Sequence, residues 1–338
     1  MIVNERPIPI PLLQREALLQ RIIKSHSRHK DIEKELINWR TGYAGEKNVD
    51  YYLSYLPDEP YRIINDLRLK NKNIFQIDSY ILSQMFGLVL EIKNITGTLL
   101  FDKNTNGVIR TYKDIEEGIP NPLTQAKRHQ RQLMNWNVRH KIPPMPIEYL
   151  VVFSRNSTIL KTNLGNEHIF DHMIYAENLE EKVAQIAAKY QSPALKGKAI
   201  NKLTDYLLSE RVPSYPEILK TYNIPKSDIL PGVQCPNCKA IPMIRVSAAW
   251  YCTWCKSYSK EAHIQTVRDY FLLMNAPLTV KEFQEFFRIE QRGVAKNLLH
   301  SLHLPSTGQK RTTQYFLPSD CILSPLKENA RGKRGIHE

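Results

Sequence analysis

Two short stretches place ionisable residues where strands call for apolar ones. In FQIDSYILS (residues 75–83) and GLVLEIK (87–93), β-branched, aromatic and aliphatic residues mark two strands, yet Asp78, Glu91 and Lys93 interrupt them. A charge persists in such a place only if it is paired, solvated or bound to a metal. A hairpin with Gln84 and Met85 at its turn puts Asp78 opposite Glu91, and the period of two along a strand puts Lys93 on the same face as Glu91. Two carboxylates that close repel unless a cation lies between them, and Mg²⁺ suits such oxygen ligands. The ion would polarise a phosphodiester while the lysine orients the nucleophile, so the chemistry indicated is hydrolysis of a phosphate ester. A cross-strand salt bridge on an exposed sheet face accounts for the same three residues.

A second constellation lies far along the chain. Cys235-x2-Cys238 is followed, after thirteen residues, by Cys252-x2-Cys255. Each short loop lets two thiolates reach one ion, and strand-like pieces between the pairs bring the loops together, which is the arrangement of a structural four-cysteine Zn²⁺ site. The segment resembles a zinc ribbon. Trp250, Tyr251, Trp254 and Tyr258 beside the cysteines either stack on bases or pack the small core. Cys321 stands alone and reads as a buried apolar residue.

The elements that must position these groups follow from periodicity. Apolar residues at helical intervals predict one or two helices over residues 11–38, and Val49, Leu53 and Leu56 predict another ending at Pro57. A strand at 61–69 precedes the hairpin, and GTLLFD and GVIRTY are short strands around a KNTNG turn. The run NPLTQAKRHQRQLMNWNVRH (121–140) reads as a basic helix. IEYLVVFS (147–154) has the continuous apolar character of a strand buried on both faces. A helix within 178–191 closes this mixed α/β domain.

With those elements in place, GYAGE (42–46), QID (76–78), GLVLEIKNITG (87–97) and NPLTQ (121–125) together resemble the nuclease-related domain family, a branch of the PD-(D/E)xK nuclease superfamily. The resemblance covers residues 40–155. It implies a restriction-endonuclease-like core in which Glu46, Asp78, Glu91 and Lys93 form the catalytic centre. Glu46, Asp78 and Glu91 would hold Mg²⁺ or Mn²⁺, and Gln125 would position water or substrate. The aspartate motif here is ID rather than PD, and His129 stands where some relatives place a tyrosine. Read without the resemblance, Glu46 favours a helix dipole and Gln125 is an exposed helix residue.

Beyond the cysteines, helical patterns at 263–275, 276–287 and 292–302 precede a hairpin-like LPSTGQKRTTQYFLP, with Thr279 and Glu282 as a capping box. The order resembles a winged helix, in which Arg292 and Lys296 on the third helix and Lys310 and Arg311 on the wing would meet nucleic acid. Lys127, Arg128 and Arg131 form a further basic face beside the hairpin.

The expected fold class is therefore an α/β mixed-sheet core with a small zinc ribbon and a winged-helix-like α+β module. Its divisions are an N-terminal helical segment (1–39), the nuclease-like domain (40–190), a helical connector (191–232), the ribbon (233–260), the winged-helix-like module (261–325) and a basic tail (326–338). The 338 residues carry a formal net charge of +13, which favours a polyanionic partner, here nucleic acid and most simply DNA. No apolar run is long enough to span a bilayer and the N-terminus lacks the apolar stretch of a signal peptide, so the expectation is a cytoplasmic protein without a membrane partner. The expected function is metal-dependent hydrolysis of DNA. The alternative is a catalytically inactive nucleic-acid-binding, regulatory or adaptor protein.

Overall fold

A computed structural model of the chain describes residues 1–317. Along it run strand β1 (Ile2–Asn4), helices α1 (Ile10–Arg21) and α2 (His29–Leu53), and strands β2 (Arg62–Lys70), β3 (Ile74–Leu82), β4 (Gly87–Lys93), β5 (Gly97–Phe101), β6 (Val108–Tyr112) and β7 (Ile115–Ile119). Helix α3 (Pro122–Arg139) precedes β8 (Ile147–Phe153), β9 (Thr158–Thr162) and β10 (Met173–Tyr175), then helices α4 (Leu179–Ala187), α5 (Ala199–Ser209) and α6 (Ile218–Thr221). The last elements are β11 (Ile244–Val246), β12 (Ala249–Tyr251), β13 (Tyr258–Ser259), α7 (Ala262–Met274), α8 (Val280–Phe287), α9 (Arg292–Ser301), β14 (Ser306–Thr307) and β15 (Gln314–Tyr315). The architecture is mixed α/β. Contacts divide it into two units, Met1–Pro7 with Arg40–Pro213, and Ile8–Trp39 with the residues from Ser214 onward.

The first unit is built on a six-stranded sheet in the order β1-β2-β3-β4-β8-β10. The β2–β3 and β3–β4 pairs are antiparallel, whereas β1–β2, β4–β8 and β8–β10 are parallel. Alternation along β8 explains its continuous apolar sequence: Tyr149, Val151 and Phe153 enter one core and Leu150 and Val152 the other. On β4, Leu88, Leu90 and Ile92 join the core shared with Val49 of α2 and Val183 of α4, while Val89 joins the core shared with Leu123 and Leu133 of α3. Glu91 and Lys93 therefore fall on the α3 side. A second sheet, β7-β6-β5-β9, sends Leu99, Phe101 and Val108 into that same core.

Helix α2 runs unbroken through the TGYAG segment, where sequence reading starts a new helix. The glycines do not end it; one of them serves a close approach described below. Strands β1, β7 and β9 carry no clear periodic signal, being short or largely exposed.

In the second unit α1 packs on α7, joined by an Arg21–Asp269 ion pair (Nε to Oδ2, 2.8 Å) buried on both sides. Strands β11, β12 and β13 form a three-stranded antiparallel sheet. Helices α7, α8 and α9 lead to the β14–β15 hairpin, to which Leu278 adds a bridge at Tyr315. The capping box at Thr279 and Glu282 opens α8. Cys321 and the basic tail lie outside the described residues.

Candidate active site

Glu91 is 5% exposed. Its Oε1 accepts a hydrogen bond from Lys93 Nζ at 2.6 Å, and His129 Nδ1 of α3 stands 3.1 Å from Oε2. Burial pushes the Glu91 carboxyl up, but the close approach of His129 and the Lys93 ammonium outweigh it, so the group is held below its usual value.

Asp78 reaches Glu91 by an irregularity. The β3–β4 ladder runs from Leu82 opposite Gly87 to Ser79 opposite Leu90, the expected register, and the paired residues stop there. At the next position the Asp78 side chain takes over, Oδ2 accepting from the Ile92 amide at 2.7 Å. The β2–β3 ladder is likewise interrupted between Asn65–Ser79 and Leu67–Ile77, with Asp66 in the left-handed region at φ 53°. Across this break the residues feeding the α3-side core change parity, from Phe75 and Ile77 to Tyr80 and Leu82. Burial raises the Asp78 carboxyl well above its ordinary value, and the charges of Glu91 and Glu46 raise it further.

Glu46 comes from α2. Gly45 makes its approach to β4 possible, because a Cβ there would lie 2.3 Å from Asn94 Cβ. Asn94 in turn donates from Nδ2 to the Thr41 carbonyl (2.7 Å), pinning the helix to the strand end. The Glu46 carboxylate is held by Arg6: Nη1 donates to Oε2 at 3.0 Å and to the Asp78 carbonyl at 2.8 Å. The same guanidinium places Nε 3.1 Å from both Asp50 oxygens and donates from Nη2 to Ser79 Oγ at 2.6 Å. Burial raises the Glu46 carboxyl, and the charges of Asp66 and Asp50 keep it above its ordinary value against the pull of Arg6.

Arg6, Asp50 and Asp66 are thus members of the site that sequence reading missed. Asp50 had a signal, since it follows Glu46 by one helical turn. Arg6 had none: it arrives because β1 lies parallel to β2, with Ile2 opposite Ile63.

Helix α3 supplies the remaining wall. Asn121 caps it, its side chain accepting from the amides of Leu123 and Thr124. Gln125 is half-buried, with Oε1 enclosed and without a hydrogen-bond partner. Arg128, His129 and Gln132 line an open cleft of about 520 Å³ together with Asp78 and Gln76. Lys127 and Arg131 are exposed, Lys127 Nζ lying 5.8 Å from the centre of the Tyr149 ring.

The donor set fits a hard divalent cation in its chemistry: three carboxylates from neighbouring elements, one with its pKa raised by burial and then by its acidic neighbours, and the unpartnered Gln125 oxygen. The oxygens of Glu46, Asp78 and Glu91 are nonetheless not drawn into one tight cluster. Among the described residues the group of three or more such ligand atoms lying within 4.8 Å of one another is the cysteine quartet.

Residues 41–154, which contain Glu46, Asp78, Glu91, Lys93 and Gln125, match the model of the nuclease-related domain family. The chain carries a nuclease-related domain. Searches of curated proteins and of solved structures return no match. The match begins within α2 at the point where the first unit takes over that helix, and Arg6 lies outside it.

Apart from the nuclease-related domain, the cysteines form the best-defined centre. Cys235 Sγ lies 3.6 Å from Cys255 Sγ and Cys238 Sγ 3.5 Å from Cys252 Sγ. Four sulfurs about 2.3 Å from a tetrahedral zinc stand about 3.8 Å apart, so the cluster is compatible with structural Zn²⁺. Both Cys-x2-Cys loops close the same way, Lys239 and Lys256 adopting φ of 64° and 60° and donating their amides to the Cys235 and Cys252 carbonyls. Trp250 is buried, its Nε1 donating to His263 Nδ1 at 3.2 Å.

In the C-terminal module Arg292, Lys296 and Lys310 line one groove of about 700 Å³, joined by His300 and His303. The Arg311 side chain lies outside the described residues. Among the described residues no helix is long and apolar enough to cross a membrane.

Proposed function

We propose that the chain is a metal-dependent nuclease hydrolysing DNA phosphodiester bonds, with its zinc ribbon and winged-helix-like module anchoring the nucleic acid and a cytoplasmic setting as read from the sequence. The observation that carries the reading is the buried Glu91 carboxylate, bonded to Lys93 and set beside Asp78 within the family-matched segment. Glu46, Asp78 and Glu91 would hold Mg²⁺ or Mn²⁺, which when bound polarises the phosphodiester and favours hydroxide formation from water. Lys93, fixed by its bond to Glu91, orients the attacking water and offsets charge that grows on the phosphoryl oxygens. Gln125 offers its enclosed carbonyl oxygen to water or substrate. Arg128, on the wall of the cleft that contains Asp78, holds a flanking phosphate.

One observation favours the second reading, a nucleic-acid-binding or regulatory factor without turnover: Arg6 already engages Glu46 in an ion pair, and the oxygens of Glu46, Asp78 and Glu91 do not all lie within 4.8 Å of one another. Incubating the protein with single- and double-stranded DNA and RNA, in Mg²⁺, Mn²⁺ or chelator, separates the two. Metal-dependent cleavage that Glu91→Ala and Lys93→Ala both abolish supports the nuclease. Binding without cleavage in every condition moves the assignment to the second reading.

A further inference from the structure

The small sheet of the ribbon has two unlike faces. Arg245 and Trp250 point inward, where the guanidinium lies 5.1 Å from the centre of the indole. The alternate residues form the outer face: Ile244 pairs with Tyr251 and Tyr251 with Tyr258, making one cross-strand row, and Val246 lies beside it. The Tyr251 and Tyr258 rings are 4.8 Å apart. Tyr258 is 65% exposed, and Trp254, on the loop from β12 to β13, is 77% exposed. A ribbon stabilised from within by Trp250 has no need of these rings at its surface.

The charge around them is one-sided. Within the ribbon, residues 233–260, stand Lys239, Arg245, Lys256 and Lys260 and no carboxylate, Glu261 following directly after it. Four thiolates on a divalent ion carry two negative charges against these four positive ones, so the ribbon remains net positive. Exposed aromatic faces within a positive field suit a polyanion whose bases are free to stack. Paired bases in a duplex already have their faces covered, whereas unpaired bases do not.

We propose that the outer face of the ribbon binds single-stranded nucleic acid, with bases stacking on Tyr258, Tyr251 and Trp254 and the lysines meeting the backbone. This rests on the nucleic-acid reading of the C-terminal modules and adds to it the strand state and the groups that read it. It does not require that the hairpin cleave.

The test uses full-length, zinc-loaded Glu91→Gln protein without Mg²⁺, titrated with oligothymidylate, oligouridylate and a DNA duplex of equal length. Tryptophan fluorescence and anisotropy are read together. Binding of an oligonucleotide should quench tryptophan emission, and adding Trp254→Ala with Tyr258→Ala should weaken it roughly tenfold or more, from the loss of two stacking rings. Trp254→Phe with Tyr258→Phe should restore most of the affinity. Zinc content equal to the parent's shows that the exposed substitutions leave the ribbon folded. Equal affinity of the alanine variant and the parent for single strands overturns the proposal. Duplex binding without single-strand binding overturns it too while sparing the nucleic-acid reading, and failure to bind any nucleic acid overturns both.

Discussion

The guanidinium of Arg6 stands 3.0 Å from the Glu46 carboxylate and 2.9 Å from that of Asp50, with its side chain 1% exposed. A residue from outside the family-matched segment thus fixes a carboxylate within it. Removing one partner of a buried ion pair leaves the other uncompensated, at a cost of roughly 3 kcal/mol. Arg6→Ala should lower the unfolding free energy by about that order, measured by chemical denaturation. Arg6→Lys, which keeps the charge without the fork of donors, should recover only part of it. A loss too small to resolve in Arg6→Ala would mean that the network is ornamental.

Gly45→Ala offers a test whose sign is opposite to the ordinary one. Alanine in a helix interior usually stabilises by about 0.5–1 kcal/mol relative to glycine. Here its Cβ would meet Asn94 Cβ at 2.3 Å, so α2 must move off the end of β4. The variant should be less stable than the wild type by thermal unfolding, and any nuclease activity should fall with it because Glu46 is the next residue. Gly42, whose Cβ would meet nothing within 4 Å, is the control and should tolerate alanine.

How far the site was legible follows from these same residues. Period-two alternation sufficed for the β3–β4 register and for placing Glu91 with Lys93, because both are local properties of one hairpin. The change of face at Asp66 and Asp78 was not legible, since a left-handed aspartate inside a strand leaves no periodic signature. Arg6 was invisible for a different reason: its partners are set by a three-residue parallel strand, and nothing in MIVNERP specifies what it pairs with. The cysteine spacing was sufficient by itself to bring the four thiols together, because two tight Cys-x2-Cys loops leave little freedom.

His263 gives the second unit a pH dependence. Burial and the nearby Arg245 lower its pKa to about 4, whereas the unfolded side chain titrates near 6.5. Below about 6.5 the unfolded state binds the proton more readily than the folded one, so stability falls with pH until about 4 and then levels. The shift is on the order of 3 kcal/mol in all. His263→Gln keeps an acceptor for the Trp250 Nε1–H and removes the titration. The difference in stability between wild type and variant should therefore shrink or reverse from pH 7 to 4, a comparison that cancels the shared acid sensitivity of the thiolates. A difference independent of pH would refute the assignment.

Metal removal should unfold the ribbon, since so small a sheet gains much of its folding free energy from the ion. Cys252→Ser should lose the zinc that wild type carries, by elemental analysis, and with it the near-ultraviolet circular dichroism of the enclosed Trp250. Full retention of both signals would show that the thiols are not ligands.

The groove of the C-terminal module makes a prediction about salt. Arg292, Lys296 and His300 recur at helical intervals along α9, Lys310 joins them from the loop between β14 and β15, and among the described residues no carboxylate lines the cavity. Contacts with phosphates release counterions, so the logarithm of the affinity falls linearly with the logarithm of the salt concentration. Lys296→Ala and Lys310→Ala should each weaken binding of every duplex to a similar degree and lower that slope by about 1. Both side chains are exposed, so stability should be unchanged within about 0.5 kcal/mol. An unchanged slope in both variants would separate the groove from the nucleic acid, and the basic charge of this module would then need a different partner.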